Sequence, residues 1–176
     1  MSSFLPRLVL AATLAWGVSA QAHDTPAPAT PAARVAIGGA VQQAISLSVD
    51  DLRQFAPDQI VELRLPGKQT DAPASVLKGV RLRAVLERAK VLTPDHNTVK
   101  KLAIIASASD GYKVVFSWSE LFNSALGDEV LVLFERDGQP LTAAEGPLAL
   151  ISGKDIRTGP RHVKWLQAIE VRQIVD

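Results

Sequence analysis

Asp137-Gly138-Gln139-Pro140-Leu141-Thr142-Ala143-Ala144-Glu145-Gly146-Pro147-Leu148-Ala149-Leu150-Ile151 holds a tight-turn signal, a short link and an apolar run within fifteen residues. Asp-Gly supplies the two residues that tolerate the left-handed backbone of a two-residue β-hairpin turn. Leu148 to Ile151 is too short and too apolar for a surface helix and reads as a buried strand. Upstream, Val130 to Phe134 is a second fully apolar strand that feeds the turn. Strand, turn and strand at this spacing set the reading for the rest of the chain.

Moving outward, Leu102 to Ala106 is another apolar strand, Asp110-Gly111-Tyr112 is its turn, and Lys113 to Phe116 is the return. Val35 to Val41 carries Gly38 and Gly39 and reads as a first strand. Ile60 to Leu65 alternates with Glu62 and Arg64 outward and is closed by Pro66-Gly67. Ile169 to Val175 completes the strands. Helices are fewer. Ser48 with Asp51, and Ser117 with Glu120, have the spacing at which a hydroxyl and a carboxylate cap the first turn reciprocally, so helices start at Val49 and at Trp118. Val80 to Lys90 places Leu82, Val85, Leu86 and Ala89 on one face and leaves its arginines to solvent. Strands outnumber helices and the helices are not regularly interposed, which predicts α+β, a single domain with a mixed β-sheet core.

The N-terminus reads as an export signal. Arg7 precedes an uncharged run from Leu8 to Val18, which Ser19, Gln21, His23 and Asp24 close well short of the roughly 20 residues a membrane span needs. Cleavage after Ala22 has the A-x-A form, with a second site after Ala20. The lone arginine points to the general secretory route rather than the twin-arginine one. The predicted organisation is residues 1–22 signal peptide, 23–33 a Pro/Ala-rich tether and 34–176 the domain, in a periplasmic or secreted location with no membrane span after cleavage. Removing Arg7 leaves 18 basic against 18 acidic residues, so a nucleic-acid footprint is absent. With no cysteine the fold has no disulfide, and its core alone must hold it. About 140 residues suffice for one such core.

In order and spacing, these pieces resemble the molybdopterin-binding domain of sulfite-oxidase-type oxidoreductases. The resemblance runs from Val35 to Val171. It is carried by Leu47-Ser48-Val49-Asp50-Asp51-Leu52, Gly79-Val80-Arg81-Leu82 with Leu86, Asp110-Gly111-Tyr112, Asp137 to Leu141 leading to Gly146-Pro147-Leu148, and Gly159-Pro160-Arg161-His162-Val163-Lys164-Trp165-Leu166. It implies a domain of that fold. Enzymes of the family hold molybdenum through a cysteine thiolate after the strand that corresponds to Ile60 to Leu65, and here the stretch reads Glu62-Leu63-Arg64-Leu65-Pro66-Gly67. The family's arginine after the late Pro-Leu is Ala149, and the segment before Gly79 is short. The expected cofactor is therefore none, with molybdopterin possible by resemblance. No catalytic residue and no metal ligand is assigned.

The densest polar segment is Ser152 to Lys164, where Lys154, Arg157, Arg161 and Lys164 face one acid, Asp155, a formal surplus of three. Glycine N–H groups, hydroxyls and arginine forks together suit an anion. By the resemblance, Arg161 and Lys164 face the pterin phosphate; Lys154, Arg157 and His162 join them by proximity, and Tyr112, at the Asp110-Gly111 turn, is a candidate to line a ligand cleft. The competing reading is a solvated basic loop, with Tyr112 covering a core edge. Trp118 and Trp165 sit among apolar neighbours and are expected in the core. His96 and His162 lack a spacing partner for metal. His23 would lie at or near the new N-terminus, where amine, imidazole and backbone nitrogens suit Cu(II), or is an incidental histidine in the tether. No Ser-His-Asp order, paired-carboxylate motif or phosphate-loop pattern supports a hydrolase or kinase. The function expected is an exported stand-alone domain, a cofactor-free module that binds an anionic small molecule or a periplasmic protein partner. The alternative is a molybdopterin-dependent oxidoreductase or its cofactor-carrying subunit.

Overall fold

The computed structural model describes residues 33–67 and 73–174. The expected signal peptide, nearly all of the expected tether, and His23 lie outside them. Ten strands and four short helices follow in the order β1 (Arg34–Gly39), β2 (Ile45–Ser48), α1 (Val49–Arg53), β3 (Ile60–Leu65), β4 (Ser75–Arg81), α2 (Leu82–Ala89), α3 (His96–Val99), β5 (Leu102–Ala108), β6 (Lys113–Ser117), α4 (Trp118–Phe122), β7 (Val130–Arg136), β8 (Gln139–Pro140), β9 (Ala149–Ser152) and β10 (Leu166–Gln173). Single 3-10 turns lie at Pro57–Gln59, Ala125–Glu129 and Gly159–Arg161.

The strands form two sheets. One has the order β2-β1-β10-β5-β6, the other β3-β4-β7-β8 with β9 also on β7. Pairing is antiparallel except between β1 and β10, whose parallel register sets Ile37 opposite Ile169. The α+β reading with a mixed sheet holds, with the mixed character confined to the first sheet.

Side-chain alternation explains the layers. Val35 and Ile37 of β1, Ile104 and Ala106 of β5, Val114 and Phe116 of β6, and Ile169 and Val171 of β10 point to a core shared with Val80, Val130, Val132 and Leu150 of the second sheet and with Leu148 just before β9. Leu82, Val85, Leu86 and Ala89 of α2 fill the same core. The opposite face of the second sheet carries another buried cluster, Leu63, Leu77, Leu131, Leu133, Leu141, Ala149 and Ile151. Strands β7 and β9 are thus buried on both faces, which is why their sequences run apolar without alternation.

The local signals form as expected. The Asp51 N–H donates to Ser48 Oγ at 3.2 Å and the Ser48 N–H to Asp51 Oδ2 at 2.8 Å. Ser117 and Glu120 repeat the box at 3.2 and 2.7 Å. Asp137 and Gly138 take φ of 52° and 73°, the mirror-image turn their sequence suits.

Four expectations need correction. The helix expected over Val80 to Lys90 begins at Leu82, because Val80 pairs with both Ile60 and Val132 and is held extended. A Cβ on Gly79 would fall 2.5 Å from the Val132 carbonyl oxygen, so only glycine lets β4 and β7 approach there. The arginines of this stretch are not simply solvated: Arg83 pairs with Asp128 at 3.0 Å, Arg88 lies over the Phe55 ring and Arg81 donates to the carbonyls of Asp58 and Asp128. The last strand starts at Leu166 and ends at Gln173, and Val175 lies outside the described residues. Trp165 is not a core residue. It is 48% exposed with φ of 51°, and its backbone is fixed there by its N–H to Glu145 O at 2.7 Å and its carbonyl from Ser109 N at 3.0 Å. Trp118 is half-buried against the core and stacks on Phe122, as expected. Among the described residues no helix is long and apolar enough to cross a membrane.

Candidate functional site

The segment from Ser152 to Trp165 leaves the buried end of β9 and returns to β10. Ser152 is fully buried, and its hydroxyl donates to Asp155 Oδ1 at 2.9 Å. That fixes Asp155, which receives a bidentate grip from Arg161, Nε at 2.7 Å and Nη2 at 2.5 Å. The remaining Nη1 donates to Glu120 Oε1 at 3.1 Å, and the guanidinium lies 4.6 Å from the centre of the Phe116 ring. A planar fork on an aromatic face with carboxylates at its edges is the arrangement arginine suits and lysine does not. The Arg161 hydrogen bond holds the Asp155 carboxyl below the ordinary range, and the same bond raises Arg161. Burial works to raise Glu120, but hydrogen bonds from Ser117 and Arg161 outweigh it and the carboxyl ends lowered.

A second cluster lies under Trp165. Glu145, 6% exposed, accepts Arg136 Nε at 2.9 Å and Nη2 at 2.5 Å, and Thr142 Oγ1 at 3.3 Å. His162 Nε2 is 3.6 Å from Glu145 Oε1. The Arg136 hydrogen bond lowers Glu145 and raises Arg136 in return. The Trp165 ring closes over Gly146, where a Cβ would meet it at 2.7 Å.

The predicted site residues therefore divide. Tyr112 is brought to the segment, its hydroxyl donating to Pro160 O at 2.6 Å while the ring stays half-exposed. Lys154 turns to Asp128 and Glu129, at 3.6 and 4.0 Å. Arg161 is committed to carboxylates, and His162 faces Glu145. Arg157 and Lys164 are exposed and form no ion pair among the described residues. From outside the loop, Glu120 pairs with Arg161, and Asp128 and Glu129 with Lys154, so two of its four cations stay unpaired among the described residues. Sequence reading missed Asp155, Glu120 and Phe116 as Arg161 partners, and Glu145 with Arg136. One signal was available: a carboxylate that caps a helix through one oxygen has the other free for a cation.

The two-sheet domain with this late glycine, arginine and lysine segment is the architecture of a molybdopterin-binding domain. The sequence matches the family described as the oxidoreductase molybdopterin binding domain over residues 23–175, and the chain belongs to that family. Among solved structures, the sulfane dehydrogenase SoxCD from Paracoccus pantotrophus is similar in fold, with TM-score 0.58 and 18% identity over 79% of this chain. This chain spans 38% of that one. Among curated proteins none matches it in sequence.

The residues here do not fit a molybdenum held by protein. At the end of β3, where the family's thiolate follows, stand Leu65, Pro66 and Gly67, and the chain contains no cysteine. Among the described residues no three His, Cys, Asp or Glu side chains gather for a metal. The Arg161 fork is filled by carboxylates, which leaves Arg157 and Lys164 as the cations of this segment with no ion pair among the described residues.

Proposed function

We propose that this protein is an exported, cofactor-free module of the molybdopterin-binding family that binds an anionic small molecule or a periplasmic partner protein on the face of the Ser152 to Lys164 segment. The observation that carries this reading is paired: the thiolate position is Leu65-Pro66-Gly67, and Asp155 and Glu120 occupy the arginine fork that would otherwise meet an anion. What stays open is a rim of Arg157 and Lys164 beside half-exposed Tyr112. Rim cations of this kind hold anions weakly and select them by charge. Export rests on Arg7 and the Leu8 to Val18 run.

Metal and pterin analysis of the natively exported protein tests the reading. No stoichiometric molybdenum and no fluorescent pterin released on denaturation are expected. Near one molybdenum per chain would restore the second reading, a molybdopterin-dependent oxidoreductase or its cofactor-carrying subunit, which the family match supports. Phosphate titration followed by amide chemical shifts tests the rim: Arg157→Ala with Lys164→Ala should abolish the shifts, and unchanged shifts would remove the anion site.

A further inference from the structure

We infer that the open edge of β6, with the groove beside it, binds an extended acidic segment of a partner protein by strand addition. This site is separate from the Ser152 to Lys164 segment and stands on different observations. β6 ends the first sheet, and β5 is its strand neighbour. In an antiparallel pair, residues alternate between those that bond across the ladder and those whose backbone groups point away. The Ala108 N–H donates to Tyr112 O at 2.8 Å, so in this register Val114 and Phe116 bond toward β5 while Lys113, Val115 and Ser117 point outward. Ser117 bears this out, because its N–H leaves the ladder and donates to Glu120 Oε2. The backbone N–H and C=O groups of Lys113 and Val115 face away from the sheet, with no bond to another described residue.

Next to that edge lies a groove of about 430 Å³ whose lining includes Lys100, Lys101, Leu102, Val115, Phe116 and Ile174. Val115 and Ile174 are each 57% exposed. A strand added about 4.8 Å from β6 would lay alternate side chains on the face where Val115 stands, beside this apolar floor. The rim selects the partner's charge. Lys100 donates to Asn97 Oδ1 at 3.2 Å, and neither it nor Lys101 nor Lys113 forms an ion pair among the described residues. On the same face Glu170 is taken by Arg172 at 2.9 Å, Asp95 caps α3, and Glu120, at the Ser117 end of the edge, is held by Arg161 at 3.1 Å, so each of these acids already has a partner. A second copy of this chain is disfavoured, because edge-to-edge pairing would bring the lysines of both copies together.

The experiment is fluorescence anisotropy of the purified protein with a labelled ten-residue peptide alternating aspartate and valine. The expected dissociation constant is roughly 10–100 μM. Val115→Pro removes one outward N–H at an edge where proline is tolerated, and should weaken binding about tenfold. Lys100→Glu with Lys101→Glu, both on the surface, should weaken it about tenfold by charge, and this pair decides the matter if the proline variant does not fold. Equal affinity in the variants, no saturation by about 1 mM, or equal binding of a peptide with lysine in place of aspartate would overturn the proposal. So would a concentration-dependent dimer that disappears in Val115→Pro, which would assign the edge to a second copy.

Discussion

Strands β7 and β6 show what the two sheets are for. In β7 five consecutive residues, Val130 to Phe134, are buried, and both edges of the strand are paired. In β6 burial alternates, one face is open and so is one edge. The second sheet has apolar clusters on both sides of its central strands, so it serves stability. The first sheet buries one face only, so its open face and the edge beside it are where contacts with other molecules cost the fold least.

The contrast breaks first at Leu131. Its side chain is fully buried in the cluster on the far side of the second sheet, and Leu131→Ala should cost about 2–5 kcal/mol in urea denaturation. A loss under 1 kcal/mol would mean that this face is loosely packed and that the two sheets do not differ as described. Next comes Arg161. Arg161→Ala strips Asp155 and Glu120 of their partner and uncovers Phe116, and a loss of about 2 kcal/mol is expected, against less than about 0.5 for Lys164→Ala. The sequence alone suggests that both side chains are dispensable for stability; the observed pairing separates them.

Acid sharpens the same point. Asp155, Glu145 and Glu120 all have folded-state values below their ordinary ones. A carboxyl so lowered contributes stability that is fully present above its unfolded value, about 4, and is lost as pH falls through the folded one. Melting temperature should hold nearly level from pH 8 to about 6 and drop below about pH 4. Asp155→Asn should start lower at pH 7 and fall less steeply; parallel curves would show that Asp155 carries none of the dependence. The smallest effect belongs to β6, where Val115→Ser should change stability by less than about 0.5 kcal/mol because the side chain is already half in water.

What the sequence made legible was local. The capping boxes at Ser48 and Ser117 and the Asp137-Gly138 turn each complete their hydrogen bonds within a few residues, so a short window contains the whole cause. The strands β2 and β4 were missed for the opposite reason. Lys78 and Gly79 interrupt the alternation of β4, and that segment is extended only because β3 and β7 flank it. Trp165 looked like core because its neighbours Val163 and Leu166 are; a left-handed backbone held by Glu145 and Ser109 turns it out. Arg161 looked free because Asp155, six residues away, stood against four cations of the segment with nothing to say which it takes, and Glu120, which accepts from the remaining Nη1, is 41 residues away. The family was readable in the spacing of its motifs, whereas the pairing of each cation required coordinates.

The parallel pairing of β1 with β10 bears on the order in which the chain can fold. The N-terminal strand's inner neighbour is the last strand, and that same strand is what joins it to β5. A chain that emerges N-terminus first, from a ribosome or through a pore, therefore cannot assemble this sheet until residues 166–173 have appeared. Until then β1 with β2, and β5 with β6, are separate hairpins, each with an unsatisfied edge. Such long-range closure makes for slow folding.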